Sequence, residues 1–458
     1  MDKEFMLYGY SSPTDGTWRM GNNNPVTFHY YSGQDFRTKE RYDEYKNAGF
    51  NVLMIQGNDP YWGEPFETSQ LKKNMDNAYA AGIKKIIVYD KRIFDYSVMA
   101  GGIIGENKPF KNEQALDYFI LHCIKDYKKH PAFLGFMLVD EPRWFQLKAI
   151  AEIMKSTRRV APEIFIQCNL LPLYHGSGHL YVENGVRDSL HIEQFKEYIK
   201  TYLDSSDSPY LLYDSYPMRC DDADGYSILK WHLPGLQVSA DILKERGKEF
   251  YFVCQACAYY ANNRLRFRNC NDAEMRWQIN CILPFGIKSV AYYTYWAKQQ
   301  NGDSIHVDGT SFMCRDGSKG QLYDIMQKVH AEMQVIAPYL LDCKYDDSTY
   351  FTNFDEVPKM IELMEKRDFS DTVKLSASKN AVIIINKMIY TPTGDTVVCL
   401  FNANDPRGEY PTATAIKPEF RGKIKNTFSL KHPDGIELKN GEFTLEAGES
   451  MFFVIEKN

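Results

Sequence analysis

Asp140 and Glu141 stand side by side at the end of an apolar run, Phe136-Met137-Leu138-Val139, and Pro142 stops the run directly after them. Neighbouring carboxyls in apolar surroundings can divide acid–base work. The one pushed up in pKa donates a proton, and an ionised partner accepts one or attacks an electrophilic centre. Four consecutive apolar residues suit a strand buried on both faces, as in a parallel sheet covered by helices. Parallel α/β folds gather ligands and catalytic groups at the carboxyl ends of such strands. A solvated acidic turn would have the same local sequence, so the meaning of the pair depends on the elements around it.

Eight strand-like runs occur, at 5–9, 51–57, 84–90, 133–140, 164–169, 209–214, 250–255 and 289–295. They alternate with helix-like patterns at 38–49, 65–82, 112–130, 143–160, 187–204, 228–247, 272–285 and 319–341. Gly49, Gly82, Gly247 and Gly286 each fall where a helix should end before the next strand. Eight strand–helix pairs predict an α/β fold, a (β/α)8 TIM barrel over residues 1–344. A doubly wound sheet would place a glycine-rich phosphate turn after the first strand, and Tyr8-Gly9-Tyr10-Ser11-Ser12 is not one. Past Cys343 the helical period fades. Runs at 381–390 and 396–402 flank Thr391-Pro392-Thr393-Gly394-Asp395, and further runs lie at 423–432, 443–445 and 450–456. Residues 345–458 therefore read as a small all-β sandwich domain.

The composition narrows the partners. A net charge of -6 argues against nucleic acid or an anionic membrane as the main partner. No apolar run is long enough to span a bilayer. The ten cysteines are scattered, and Cys123, Cys168, Cys254 and Cys399 lie inside apolar segments. Cys254 and Cys257 have C-x-x-C spacing without a second pair at zinc-site distance, so the cysteines read as reduced core thiols. That reading, with a start (Met1-Asp2-Lys3-Glu4) unlike a signal peptide, gives a cytoplasmic location as the expectation. Aromatic residues make up 14% of the chain, more than a core needs, and a surplus at strand ends would suit the apolar faces of sugar rings.

In a barrel, polar groups at the strand ends share one cavity although they are distant in sequence. The fourth strand supplies Asp140 and Glu141, the sixth Asp214 followed by Tyr216, and the seventh Gln255. The eighth supplies Tyr293, Tyr295 and Trp296, and the second and third add Gln56 and Asp90. No metal-ligand set converges there and no cofactor motif is present, so a carbohydrate is the expected partner. Cleaving a glycosidic bond needs two carboxyls, one to protonate the leaving oxygen and one to act as nucleophile or water-activating base. Glu141 fits the acid and Asp214 the second carboxylate, with Asp140 holding a substrate hydroxyl or orienting Glu141. A turn-capping role before Tyr216-Pro217 competes for Asp214.

The barrel resembles the clan A glycoside hydrolases. The resemblance rests on Asp140-Glu141-Pro142 in fourth-strand position, Asp214-Ser215-Tyr216-Pro217, Gln255-Ala256, Ala273-Glu274-Met275-Arg276 and Tyr292-Tyr293-Thr294-Tyr295-Trp296. It implies a retained acid/base glutamate at Glu141 and a sandwich as companion domain. It also implies a glutamate nucleophile ending strand seven, where this chain has Gln255. Three readings follow: an inverting reaction with Asp214 or another acid as base, a nucleophile elsewhere (Glu183 or Glu64), or a barrel that binds sugar without cleaving it. Glu274 reads as a first-turn helix residue. Weaker features are the loop His175-Gly176-Ser177-Gly178-His179, the stacking candidates Trp18, Trp62 and Trp144, and the basic run Arg264, Arg266 and Arg268.

Overall fold

The computed structural model describes residues 4–13, 17–19, 28–30, 34–55, 65–174, 178–185, 192–220, 228–261, 264–297, 304–408, 413–436 and 438–456. Eight parallel strands form one sheet: β1 (Met6–Gly9), β2 (Leu53–Ile55), β3 (Ile86–Tyr89), β4 (Phe133–Asp140), β5 (Phe165–Leu170), β6 (Tyr210–Asp214), β7 (Glu249–Gln255) and β8 (Ile287–Tyr293). From β2 to β8 each strand pairs with its neighbour in sequence, and β1 pairs with β8. The Asn51 and Val52 N–H groups donate to the Leu7 carbonyl, which joins β2 to β1 and closes the ring. Helices run between the strands: α1 (Lys39–Asn47), α2 (Gln70–Ala80), α3 (Lys91–Ser97), α4 (Glu113–Ile124), α5 (Leu147–Val160), α6 (Ile192–Ser206), α7 (His232–Arg246), α8 (Asp272–Ile282) and α9 (Leu322–Leu341). This is the predicted TIM barrel, with one addition. The third crossing carries two helices because α3 starts directly at the end of β3.

The barrel interior explains much of the aromatic content. Tyr8, Tyr10, Met54, Leu134, Met137, Tyr210, Tyr251 and Val253 fill it, with the rings of Phe165, Tyr210 and Tyr251 stacked 5.1 and 4.4 Å apart in succession. Gly135 makes the β4–β5 approach possible: a Cβ there would sit 1.7 Å from the Phe165 carbonyl oxygen. All ten cysteines are free thiols, eight of them buried.

The C-terminal strands are β9 (Cys343–Thr352), β10 (Val373–Ala377), β11 (Val382–Tyr390), β12 (Asp395–Asn402), β13 (Thr414–Phe420), β14 (Ile424–Phe428), β15 (Phe443–Leu445) and β16 (Ser450–Ile455). Antiparallel sheets of order β9-β11-β12-β16-β14 and β10-β13-β15 face each other over a core of Ile383, Leu400, Ile416, Phe443 and Phe453. The alternate face of the larger sheet (Ile384, Cys399, Phe401, Phe452) joins the barrel's own hydrophobic cluster. Strand period two thus divides each strand's side chains between sandwich and barrel. No described helix is long and apolar enough to cross a membrane.

Candidate active site

Glu141 is held in an unusual backbone. Its φ is 48°, a left-handed conformation that a side chain with a Cβ adopts at a cost of about 1–3 kcal/mol. Pro142 disfavours the right-handed helical alternative for the residue before it. The turn is fixed on both sides: the Glu141 N–H donates to the Asn169 carbonyl at 2.8 Å, and the Tyr198 hydroxyl donates to the Pro142 carbonyl. The strand therefore ends in a clamped turn that presents Glu141 to a cleft of about 360 Å³ at the carboxyl ends of the strands.

Three carboxyls line that cleft: Asp140, Glu141 and Asp214. One amide organises two of them. Asn169 Nδ2 donates to Asp140 Oδ1 at 2.8 Å and to Asp214 Oδ1 at 3.0 Å. The Tyr174 hydroxyl donates to Glu141 Oε1 at 3.0 Å. Water reaches Glu141 from the open side of the cleft, while protein surrounds it elsewhere. That partial desolvation, followed by the negative charges of Asp214 and Asp140, holds its pKa well above the usual carboxyl value. Asp214 is buried at 5% exposure, and burial together with the charge of Asp140 raises it to about 7. Hydrogen bonds from Asn169 and Tyr216 oppose that rise by favouring its ionised form.

Much of the remaining lining is aromatic, and most of it comes from segments beyond the strand ends. Segments Tyr259–Ala261, Arg264–Phe267 and Ser304–His306 form a small antiparallel sheet, in which Tyr259 faces Phe267 and His306 across adjacent strands. The rings of Tyr259 and Phe267 stack at 4.3 Å, and Tyr216 stacks on Tyr293 at 5.7 Å. His306 Nε2 and the Tyr293 hydroxyl are 3.1 Å apart. Aromatic faces in one cleft with a carboxyl cluster can hold a ring with apolar C–H faces against groups able to move a proton.

Of the residues expected in the site, Asp140, Glu141, Asp214, Tyr216 and Tyr293 line the cleft. Others are placed differently. Gln255 is wholly buried, its Oε1 accepting from Met218 N–H at 3.1 Å and its Nε2 donating to the carbonyls of Met218 (3.3 Å) and Arg268 (3.0 Å). It braces two loops and does not reach the cleft. Tyr295 and Trp296 follow the end of β8 and pack outward, Tyr295 against Tyr45 and Phe312, and Trp296 against Phe36. Asp90 caps α3 and is bound by Arg92 and by Tyr127, whose hydroxyl lies 2.5 Å away, so it is a packing group. Gln56, Glu64, Trp62 and His175 lie outside the described residues, as does the side chain of Trp18. Glu183 is exposed and is not in the cleft lining. Trp144 packs on Phe145 beside α5. Glu274 forms a capping box with Asn271 and pairs with Arg268 and Arg407. Asn169, Tyr174, Tyr259, Phe267 and His306 were not singled out in the sequence. Only Asn169 had a signal there, as a polar residue ending the fifth strand.

No protein-family model matches the chain, and no curated protein matches it. Among solved structures, a β-galactosidase from Bacillus circulans sp. alkalophilus aligns over 99% of this chain and 99% of its own, with a TM-score of 0.56 at 8% identity. A GH42 β-galactosidase from G. stearothermophilus covers 91% of this chain and 95% of its own (TM-score 0.49, 8% identity). A Pseudomonas stutzeri endoglucanase covers 70% and 93% (TM-score 0.42, 14% identity). The likeness to the Bacillus enzyme is one of fold: this chain has a TIM barrel with a C-terminal β-sandwich.

Proposed function

We propose that the protein is a glycoside hydrolase acting on an oligo- or polysaccharide, with Glu141 as general acid and Asp214 as the second carboxylate. One observation carries this reading: Glu141, on a strained and clamped turn, shares a cleft with Asp214 and an aromatic lining. A general acid must keep its proton at working pH, and partial desolvation beside two like charges favours that for Glu141. Asp214, with its pKa near neutrality, is poised to accept a proton from water. Asn169 holds it next to Asp140 in a fixed position. Because Gln255 is committed to loop carbonyls, a base-assisted attack of water with inversion fits the described residues better than a strand-seven nucleophile.

The test is hydrolysis of a panel of α- and β-aryl glycosides by wild type and Glu141→Gln. A loss of about 10²–10⁴ in kcat, largest for poor leaving groups, is expected. Activity insensitive to the substitution would remove Glu141 from the role. The structural commitment of Gln255 also favours a second reading, a barrel that binds sugar without cleaving it. Inertness of wild type across the panel with retained sugar binding would select that one.

A further inference from the structure

We propose that the sugar held in this cleft carries an anionic group, a carboxylate or a sulfate ester, and that Arg219 binds it. The inference rests on the cleft being a carbohydrate site and names the class of sugar it takes.

Arg219 lines the cavity with its guanidinium 4.9 Å from the centre of the Phe267 ring. No described residue gives that guanidinium a hydrogen bond or an ion pair, and its buried Nε has no acceptor. This sets it apart from the other partly buried arginines. Arg92 is paired with Asp90, Arg268 with Glu274 and Asp405, Arg276 with Glu332, and Arg367 with Asp241 and Asp347. Partly buried charged donors are ordinarily satisfied, so one left open at a cleft can take an acceptor that the described residues do not supply.

The three acids of the same cleft make no ion pair with Arg219. Glu141 is raised by partial desolvation and by the charges of Asp214 and Asp140, and Asp214 by burial and the charge of Asp140. Among the described residues no carboxyl pairs with Arg219, which lies instead against the Phe267 ring of the same cleft. A substrate reaching both groups would turn its glycosidic oxygen to Glu141 and its anionic substituent to Arg219.

The placement is rigid. Cys220 N–H donates to the Arg266 carbonyl and Arg268 N–H to the Met218 carbonyl, both at 3.1 Å, so Arg219 and Phe267 sit opposite each other in a short antiparallel bridge. Gln255 locks the same bridge from beneath through Met218 and Arg268. The residue standing where a strand-seven nucleophile was expected thus positions the anion-binding arginine. Stacking on Phe267 covers one face of the guanidinium and leaves its N–H edge for a two-point contact with a planar carboxylate or a sulfate.

The experiment has two arms. Binding of glucuronic acid, galacturonic acid, glucose 6-sulfate, galactose 6-sulfate and the neutral parent sugars is measured calorimetrically on wild type and Glu141→Gln. Hydrolysis of aryl uronides, sulfated aryl glycosides and neutral aryl glycosides is measured for wild type, Arg219→Lys and Arg219→Gln, after thermal melting confirms that each folds. We expect anionic ligands to be preferred at least about tenfold, the preference to shrink in Arg219→Lys and to collapse toward unity in Arg219→Gln. A preference confined to uronates or to sulfates identifies the group. Equal treatment of neutral and anionic sugars by wild type overturns the proposal, and so does a preference that survives Arg219→Gln. If Arg219→Gln does not fold, the wild-type preference and its change in Arg219→Lys decide. Uronate or sulfate binding without hydrolysis would remove the hydrolase reading and keep this one. Hydrolysis of neutral glycosides with no anion preference would do the reverse, and no binding of either class refutes the inference.

Discussion

Replacing Asp214 by Asn should make the protein more stable at alkaline pH while stopping its chemistry. Asp214 is 5% exposed and its carboxyl is raised from 3.8 to about 7. The unfolded chain gives up this proton near pH 4, whereas the folded chain keeps it until about pH 7. Between those values the unfolded state binds fewer protons, so stability falls as pH rises and the loss is complete above about pH 7. A rise of about three pKa units at 1.36 kcal/mol each sets a ceiling of about 4 kcal/mol, and proton sharing with Asp140 and Glu141 reduces it to about 2–4 kcal/mol. Asn cannot ionise, has nearly the same shape, and its Oδ1 can still accept from Asn169 Nδ2. Calorimetric melting of wild type and Asp214→Asn at about pH 4.5 and about pH 8, at one scan rate, reads the difference. Near pH 4.5 the two should melt together, and at pH 8 the variant should melt roughly 2–6 °C higher, allowing for the smaller shift per kcal/mol in a long chain. Its kcat should fall by about 10²–10⁴. A melting difference that stays flat with pH, or a variant less stable at pH 8, would refute the placement of a raised carboxyl at this position. A more stable but inactive variant would show that the acid is kept for chemistry at the expense of the fold.

Two substitutions should move the alkaline limb of the pH–rate profile in opposite directions, since that limb reports loss of the Glu141 proton. Asp140→Asn removes a like charge that raises Glu141 and should shift the limb down, whereas Tyr174→Phe removes a hydrogen bond that favours the ionised form and should shift it up; shifts of the same sign would contradict the described contacts. Gln255→Glu should not create a nucleophile. It withdraws an amide donor from the Met218 and Arg268 carbonyls in a fully buried site, and a loss of about 2–4 kcal/mol in urea unfolding with no gain in aryl-glycoside turnover is expected. New activity in that variant would count against its role as a brace.

What could be read from the sequence follows from what strand patterns encode. The run before Asp140-Glu141 is apolar because β4 is covered on both faces, and its order among eight strands puts the two acids at the mouth of the barrel. Asp214, Tyr216 and Tyr293 were found by the same rule, which locates a residue along a strand's length. The rule says nothing about which way a side chain turns once pairing stops. Asp90 shows the failure: β3 gives way at once to α3, and the Arg92 N–H in the first turn donates to the Asp90 carboxylate, which caps the helix. Tyr295 and Trp296 follow the last paired residue of β8, and the chain there turns their rings to the outside of the barrel.

Gln255 is the most instructive case, because its position at the end of β7 was right and its meaning was different. A side chain with one acceptor and two donors meets one N–H and two carbonyls, a match that a carboxylate could not make. Those three groups belong to loops joined by no local pattern. The loop after β6 brings Arg219, and the strand pair after β7 brings Phe267. Sequence periodicity carries the barrel, whereas the wall that would choose the substrate is assembled by hydrogen bonds between irregular segments. Strand order thus places the acids, whereas Arg219 and Phe267 meet only through contacts between loops that are distant in sequence.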